Sequence, residues 1–348
     1  MSTSTESAAR VRALHEQAVI VNGLGGGKVC MPTSRTAEFK LPEIMREGGV
    51  AAVNLTVSYK DGFADTMRNL SYLLQAMDGR DDIRIAHAAN DIRAAKADGG
   101  SAVILGFQNS DPIEGKLEYL DLLHRLGLRI VQLTYQRRNL VADGCGESAD
   151  AGLSVFGREL VGELNRLGVL IDLSHTGVRS TLETIELSRV PVSFTHACVY
   201  ARNPMKRNKT DEEIRALAAR GGVMGINAVA RLMSPEALKR GSTMGDFVDQ
   251  VDYVVNLVGV DHVGIGLDIS EGMTPEDFEQ RKVTFLAQFP ELGGEFAYEH
   301  YYTTGLDSMA KAELITDGLV ARGYSDEDVL KILGGNFMRL FEQVWPGA

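Results

Sequence analysis

A chain of 348 residues, 44% hydrophobic and 24% charged, can bury a large core and reads as a soluble globular protein, with room for one barrel domain or two smaller domains. A net charge of -11 argues against a nucleic-acid surface, because gripping a phosphate backbone takes clustered excess lysine and arginine; small-molecule or peptide chemistry is expected instead. Cys30, Cys145 and Cys198 are too scattered for a disulfide framework or a paired-cysteine zinc knuckle, and no signal-peptide core or membrane-length apolar stretch is present, so a reducing cytoplasm without membrane attachment is expected.

Short apolar, β-branched runs alternate with segments of helical period along the whole chain. The first run, 18–22, leads into NGLGGGK. A phosphate loop of the form GxxxxGKS/T ending at Lys28 would need glycine at Asn22 and a hydroxyl at Val29, and the dinucleotide pattern GxGxxG from Gly23 would need glycine at Lys28. Both fail, and the glycines read as a loop needing unusual backbone angles or space for a ligand. Further runs follow at 50–57, 101–108 and 128–135. A helix with a terminal glycine is predicted over 154–168, a strand over 168–175, and a helix capped by Ser180 and Thr181 before LETIELS. Next come a strand at 190–196, a helix over 209–222 opened by a Thr-Asp cap signal, and strands at 222–228 and 261–268. The segment 273–304 reads as an insertion, a lid or a subunit contact or else an ordinary surface excursion. The tail, 325–346, reads as a capped helix, a Gly-Gly break and a second helix that packs Phe337, Leu340 and Trp345 onto the rest.

Eight strand runs, apolar on both faces and separated by helices, predict a single-domain (β/α)8 TIM-type barrel, with a doubly wound open sheet as the alternative. In a barrel, chemistry belongs at the C-terminal strand ends. Those ends are Asn22, Tyr59 or Lys60, Gln108, Tyr135, His175, His196, Asn227 and Asp268. Two histidines on adjacent strands together with Asp268 point to a metal or acid/base site, because buried polar groups need partners and neutral imidazoles often bind metal. His15, His87, His124, His262 and His300 fall elsewhere and read as surface or structural. Arg207, beside Asn208 in the basic loop RNPMKRN, is either a carboxylate clamp or part of a solvated loop.

GLSVFGRELVGELNRLGVLIDLSHTG, PVSFTHA with RNKTDEEIRALAARGGVMGIN, and DHVGIGLD resemble the renal or membrane dipeptidases of the amidohydrolase superfamily over nearly the whole chain. The resemblance implies a barrel that usually carries two zinc ions, cleaves dipeptides with little side-chain selectivity, and is often a dimer. It maps that family's second-site histidines onto His175 and His196, its carboxylate-binding arginine onto Arg207, and its proton-transfer aspartate onto Asp268. It also maps a His-x-Asp pair onto Leu24 and Gly26, a bridging glutamate onto Gln108, and a histidine onto Tyr135, so four functional positions differ. A neutral amide cannot bridge two cations as a carboxylate does, so one zinc at most is expected, on His175 and His196 with Gln108 or Asp268.

Three functions compete on this reading. In the first, a diverged metallohydrolase of a small amide, Asp268 acts as base, Tyr135 or Gln108 polarises the carbonyl, and Arg207, Asn22 and Asn227 contact substrate. The second is a metal-independent lyase or isomerase using the same pocket, and the third is a non-catalytic small-molecule binder.

Overall fold

The computed structural model describes residues 2–289 and 297–345. The barrel strands are β1 (Ile20–Gly26), β2 (Val50–Ser58), β3 (Ser101–Phe107), β4 (Leu128–Gln132), β5 (Leu170–Asp172), β6 (Ser193–Ala197), β7 (Val223–Ile226) and β8 (Val263–Ile265). Each pairs in parallel with its neighbour in chain order, and the ring closes where Asn22 of β1 meets Ile265 of β8. Closure settles the architecture as a single-domain (β/α)8 barrel and rules out the open sheet. A short strand, Ile83–Ile85, lies outside on β3, and Ile269–Ser270 pairs with the tip of β1.

Local chemistry explains where elements begin and stop. Ser154 accepts from Gly157 N at 2.9 Å to start the helix Val155–Leu167, and Gly168 ends it at φ 69°. Thr210 and Glu213 form a reciprocal capping box at the start of Asp211–Ala219. The expected caps Ser180 and Thr181 instead lie in the first turn of Val178–Leu187, after Gly177. Their hydroxyls are engaged elsewhere: Ser180 donates to Asp150 at 2.6 Å, and Thr181 accepts from Lys209 Nζ at 3.2 Å. β5 stops three residues before His175 because Asp172 Oδ1 accepts from Ser174 N at 3.0 Å and turns the chain out of the ladder.

The C-terminal helix Asn336–Val344 closes the end of the barrel opposite the strand tips, with Phe337 against Gly23 and Gly264. Leu340 and Trp345 are buried beside it; Pro346 lies outside the described residues. Within 273–304, a helix spans Pro275–Gln288 and a helical turn spans Tyr298–His300, while 290–296 lie outside the described residues. Among the described residues no helix is long and apolar enough to cross a membrane.

Candidate active site

The strand tips surround a cavity of about 490 Å³ whose wall includes Gln108, Tyr135, His175, Arg207 and Asp268. Five of the expected residues therefore meet in one space. Asn22, His196 and Asn227 are fully buried and lie outside that wall. Asn22 Oδ1 accepts from Leu267 N at 2.8 Å and Leu24 N at 3.3 Å, tying β1 to the end of β8. Asn227 accepts from Val229 N at 2.7 Å and donates to Asp268 Oδ2 at 3.1 Å. The two asparagines expected to contact substrate thus stand behind the wall: Asn22 Oδ1 and both polar ends of Asn227 bond to the scaffold, while Asn22 Nδ2 is buried with no hydrogen-bond partner among the described residues.

The histidines form a directed chain. Asp172 accepts from Ser174 N (3.0 Å), Ser174 Oγ (2.6 Å), Thr195 N (3.0 Å) and Thr195 Oγ1 (2.7 Å), the environment of an ionised carboxylate. Burial pushes Asp172 up and these donors pull it back. Because Thr195 Oγ1 spends its proton on Asp172, it accepts from His196 Nδ1–H at 2.8 Å. His196 Nε2 is then bare and accepts from His175 Nε2–H at 3.0 Å. Burial, and after it the Arg207 charge, holds both imidazoles well below their ordinary range, so both are neutral. Tyr135 stacks on His175 with ring centroids 4.5 Å apart. Burial, reinforced by Asp268, pushes the Tyr135 phenol up, which keeps it a proton donor.

Asp268, three residues past β8, stands in the left-handed region at φ 56°, a strained position for a residue with a side chain. Its backbone N donates to Leu24 O at 3.0 Å, locking that conformation. Burial pushes its carboxyl up; Arg207, the Asn227 hydrogen bond, Arg281 and Arg231 draw it down. Arg207 is itself 2% exposed and donates to Ser174 O at 2.5 Å and His196 O at 2.6 Å, so it joins the turns after β5 and β6 while facing the cavity.

Zinc is what the resemblance implies, and the donor set decides whether it fits. Catalytic zinc takes three protein ligands and leaves a position for water. Among the described residues no three His, Cys, Asp or Glu side chains gather as ligands. Leu24 is buried hydrocarbon and Gly26 has nothing within 4 Å of where a Cβ would stand, so the first-strand ligands are replaced by apolar wall and empty space. His175 and His196 supply two nitrogens already bonded to each other. These residues do not fit a zinc centre.

Sequence reasoning missed Asp172, Thr195, Arg231 and Arg281. Asp172 and Thr195 stood in the same short runs as the histidines. Arg231 had one signal, a cation within the apolar stretch NAVARLM. Arg281 had none, since its helix lies in the segment taken as an insertion.

A family model described as membrane dipeptidase, peptidase family M19, matches residues 31–286. Dipeptidase tcpJ of Claviceps purpurea (strain 20.1) is 29% identical over 283 residues, 80% of this chain and 60% of the relative. The chain spans between 46% and 61% of the length of the curated relatives it matches. The crystal structure of an amidohydrolase from Pseudomonas aeruginosa is 32% identical with a TM-score of 0.85, covering 96% of this chain and 99% of that one. A metallopeptidase of family M19, dipeptidase AC, shares the fold at 21% identity and a TM-score of 0.76, covering 95% of this chain and 99% of its own. With a family model matched over well more than half its length, this chain belongs to the membrane dipeptidase family, peptidase family M19.

Proposed function

We propose that the chain is a dipeptidase-type hydrolase that adds water across the amide bond of a small, carboxylate-bearing compound, with Asp268 transferring the proton. One observation carries this reading: the half-buried carboxylate of Asp268, held by Asn227 and raised by desolvation, shares the cavity wall with Gln108, Tyr135 and Arg207. A carboxylate so raised is better matched to proton transfer near neutral pH than an exposed one. Asp268 takes a proton from the attacking water and returns it to the leaving amine. The Tyr135 hydroxyl and the Gln108 amide donate to the developing oxyanion, and Arg207 anchors the substrate carboxylate. The neutral His175–His196 pair forms the floor beneath. No step is routed through a metal, because among the described residues the donor set supplies no third ligand.

The test is hydrolysis of a dipeptide panel by the purified protein, followed by mass spectrometry, with metal content measured before and after dialysis against a chelator. The expected result is turnover that survives dialysis and falls roughly 100-fold or more in Asp268→Asn. No cleavage of any dipeptide, or full activity in that variant, overturns the reading. A rate lost with the metal and restored by zinc overturns its metal-free part.

A further inference from the structure

Gln136 stands in the cavity wall next to Tyr135, in the loop after β4, and is only 1% exposed. Its backbone lies in the left-handed region at φ 64°, which few residues with a side chain adopt. Arg137 N donates back to Tyr135 O at 2.7 Å across it, a γ-turn of the rare form whose central residue has positive φ. Two contacts hold that turn. Gly146 N donates to Gln136 O at 2.8 Å, and Gly144 packs so closely that a Cβ there would stand 2.3 Å from the Gln136 carbonyl carbon. A strained turn persists only where its surroundings enforce it, and here it presents one side chain to the cavity.

That side chain is held at one end only. Cys145 Sγ donates to Gln136 Oε1 at 2.9 Å, and burial pushes the thiol up, so it keeps the proton it donates. With the oxygen facing sulfur, the amide Nε2 is the other end, and it donates to no group among the described residues. A primary amide nitrogen carries two N–H donors, so the partner it lacks is an oxygen. Cys145 N in turn donates to His175 O at 2.8 Å, while Arg207 Nη1 donates to the preceding carbonyl, Ser174 O. Successive carbonyls of the turn after β5 thus hold the two groups, and the Arg207 charge reaches the Cys145 thiol. The Gln136 amide and the Arg207 guanidinium therefore share one side of the cavity. Arg207 already spends N–H groups on Ser174 O and His196 O, which leaves a carboxylate in need of a further donor.

We propose that Gln136 is a specificity-determining residue: its Nε2 donates to the substrate carboxylate, sharing that group with Arg207, and Cys145 positions the amide for the task. The carboxylate-bearing substrate comes from the hydrolase reading, on which this rests, while the unfilled donor pair stands on the geometry alone. Arg207 supplies the charge and Gln136 the direction.

The test is isothermal titration of the intact protein with an uncleavable isostere of Ala-Ala, CH2–NH in place of the amide, and with the C-terminal carboxamide of the same compound. Gln136→Gly removes the donors, and glycine suits a positive φ, so the fold is not put at risk. The acid is expected to bind this variant roughly tenfold more weakly, the scale of a hydrogen bond to a charged group, whereas the weaker binding of the carboxamide should change less than about twofold. Gln136→Glu, which sets an anion beside the carboxylate, should cost roughly 100-fold. Cys145→Ala frees the amide to rotate and should weaken the acid about threefold, while Cys145→Ser, which keeps a donor for Oε1, should not. Parent-like binding of the acid in Gln136→Gly, equal losses for acid and carboxamide, or binding of neither probe overturns the proposal. Parent-like binding in Cys145→Ala overturns the positioning by Cys145. Turnover of Ala-Ala is read separately, and the loss in Gln136→Gly should be carried by KM rather than kcat. A carboxylate-specific loss of binding without turnover sinks the reaction and leaves the contact standing, whereas turnover with no such loss does the reverse.

Discussion

Asn227 Nδ2 donates to Asp268 Oδ2 at 3.1 Å from just past the neighbouring strand, and this bond aims the carboxylate proposed to transfer the proton. Removing it in Asn227→Ala takes a donor from the ionised form, so the Asp268 pKa rises further above its ordinary value. The acid limb of the rate profile, set by loss of the carboxylate as pH falls, should move to higher pH, and kcat at neutral pH should fall about tenfold. A pH–rate profile checks both. Asn227→Asp, which replaces the donor by a second acid, should do worse, and an unmoved limb in either variant removes Asn227 from the positioning role.

Lys209 and Glu213 form an ion pair at 3.0 Å with side chains 2% and 1% exposed. Lys209 Nζ also donates to Thr176 O at 2.9 Å, next to His175, while Glu213 Oε2 accepts from Thr210 N at 2.9 Å. Breaking a buried pair strands the remaining charge, so Lys209→Met should cost about 3–5 kcal/mol in urea unfolding. Lys209→Met with Glu213→Leu should recover part of that, because two apolar groups leave no orphaned charge. A single variant as stable as the parent would mean that water reaches Glu213.

Gly266 follows β8 where Thr195 O approaches so closely that a Cβ would stand 1.8 Å from it. Thr195 is the link between Asp172 and His196, so this contact supports the histidine chain as well as the barrel. Gly266→Ala should destabilise by roughly 3 kcal/mol or more, since backbone and not a flexible side-chain tip must move. Gly26→Ala, with nothing within 4 Å, should be near neutral in the same thermal melts. Equal melting temperatures for the two variants would contradict the close approach.

The barrel was legible because all eight strand runs carry apolar residues on both faces, a pattern that survives without any knowledge of neighbours. Tip residues such as Gln108 and Tyr135 were legible for the same reason: a strand end has a fixed place in a closed barrel. What a tip residue faces is another matter. His196 and Asn227 stand near strand tips yet lie behind the cavity wall, each bonded to a wall residue on one side, His175 and Asp268, and to the scaffold on the other, Thr195 Oγ1 and Val229 N. Arg231 and Arg281 were hidden for the opposite reason, lying on helices beyond the strand ends whose path no local periodicity fixes.

Lys28, just past the glycine loop of β1, meets Asp277 at 2.5 Å on the first turn of the helix Pro275–Gln288, which lines one side of the cavity. The Lys28 ammonium, with donors from Thr274, holds the Asp277 carboxyl at about 2, below its ordinary 3.8. A carboxyl depressed on folding stabilises above its unfolded pKa and loses that contribution as pH falls through the folded one, so this tether should weaken between about pH 4 and pH 2. Both side chains are exposed, at 52% and 42%, so global stability should change little and the local titration is the right readout. A ¹³C carboxyl titration should place the Asp277 midpoint well below that of an ordinary surface aspartate, and Lys28→Met should move it up toward the ordinary value. A midpoint already ordinary in the unmodified protein would mean that the helix is not tied to the β1 loop through this pair.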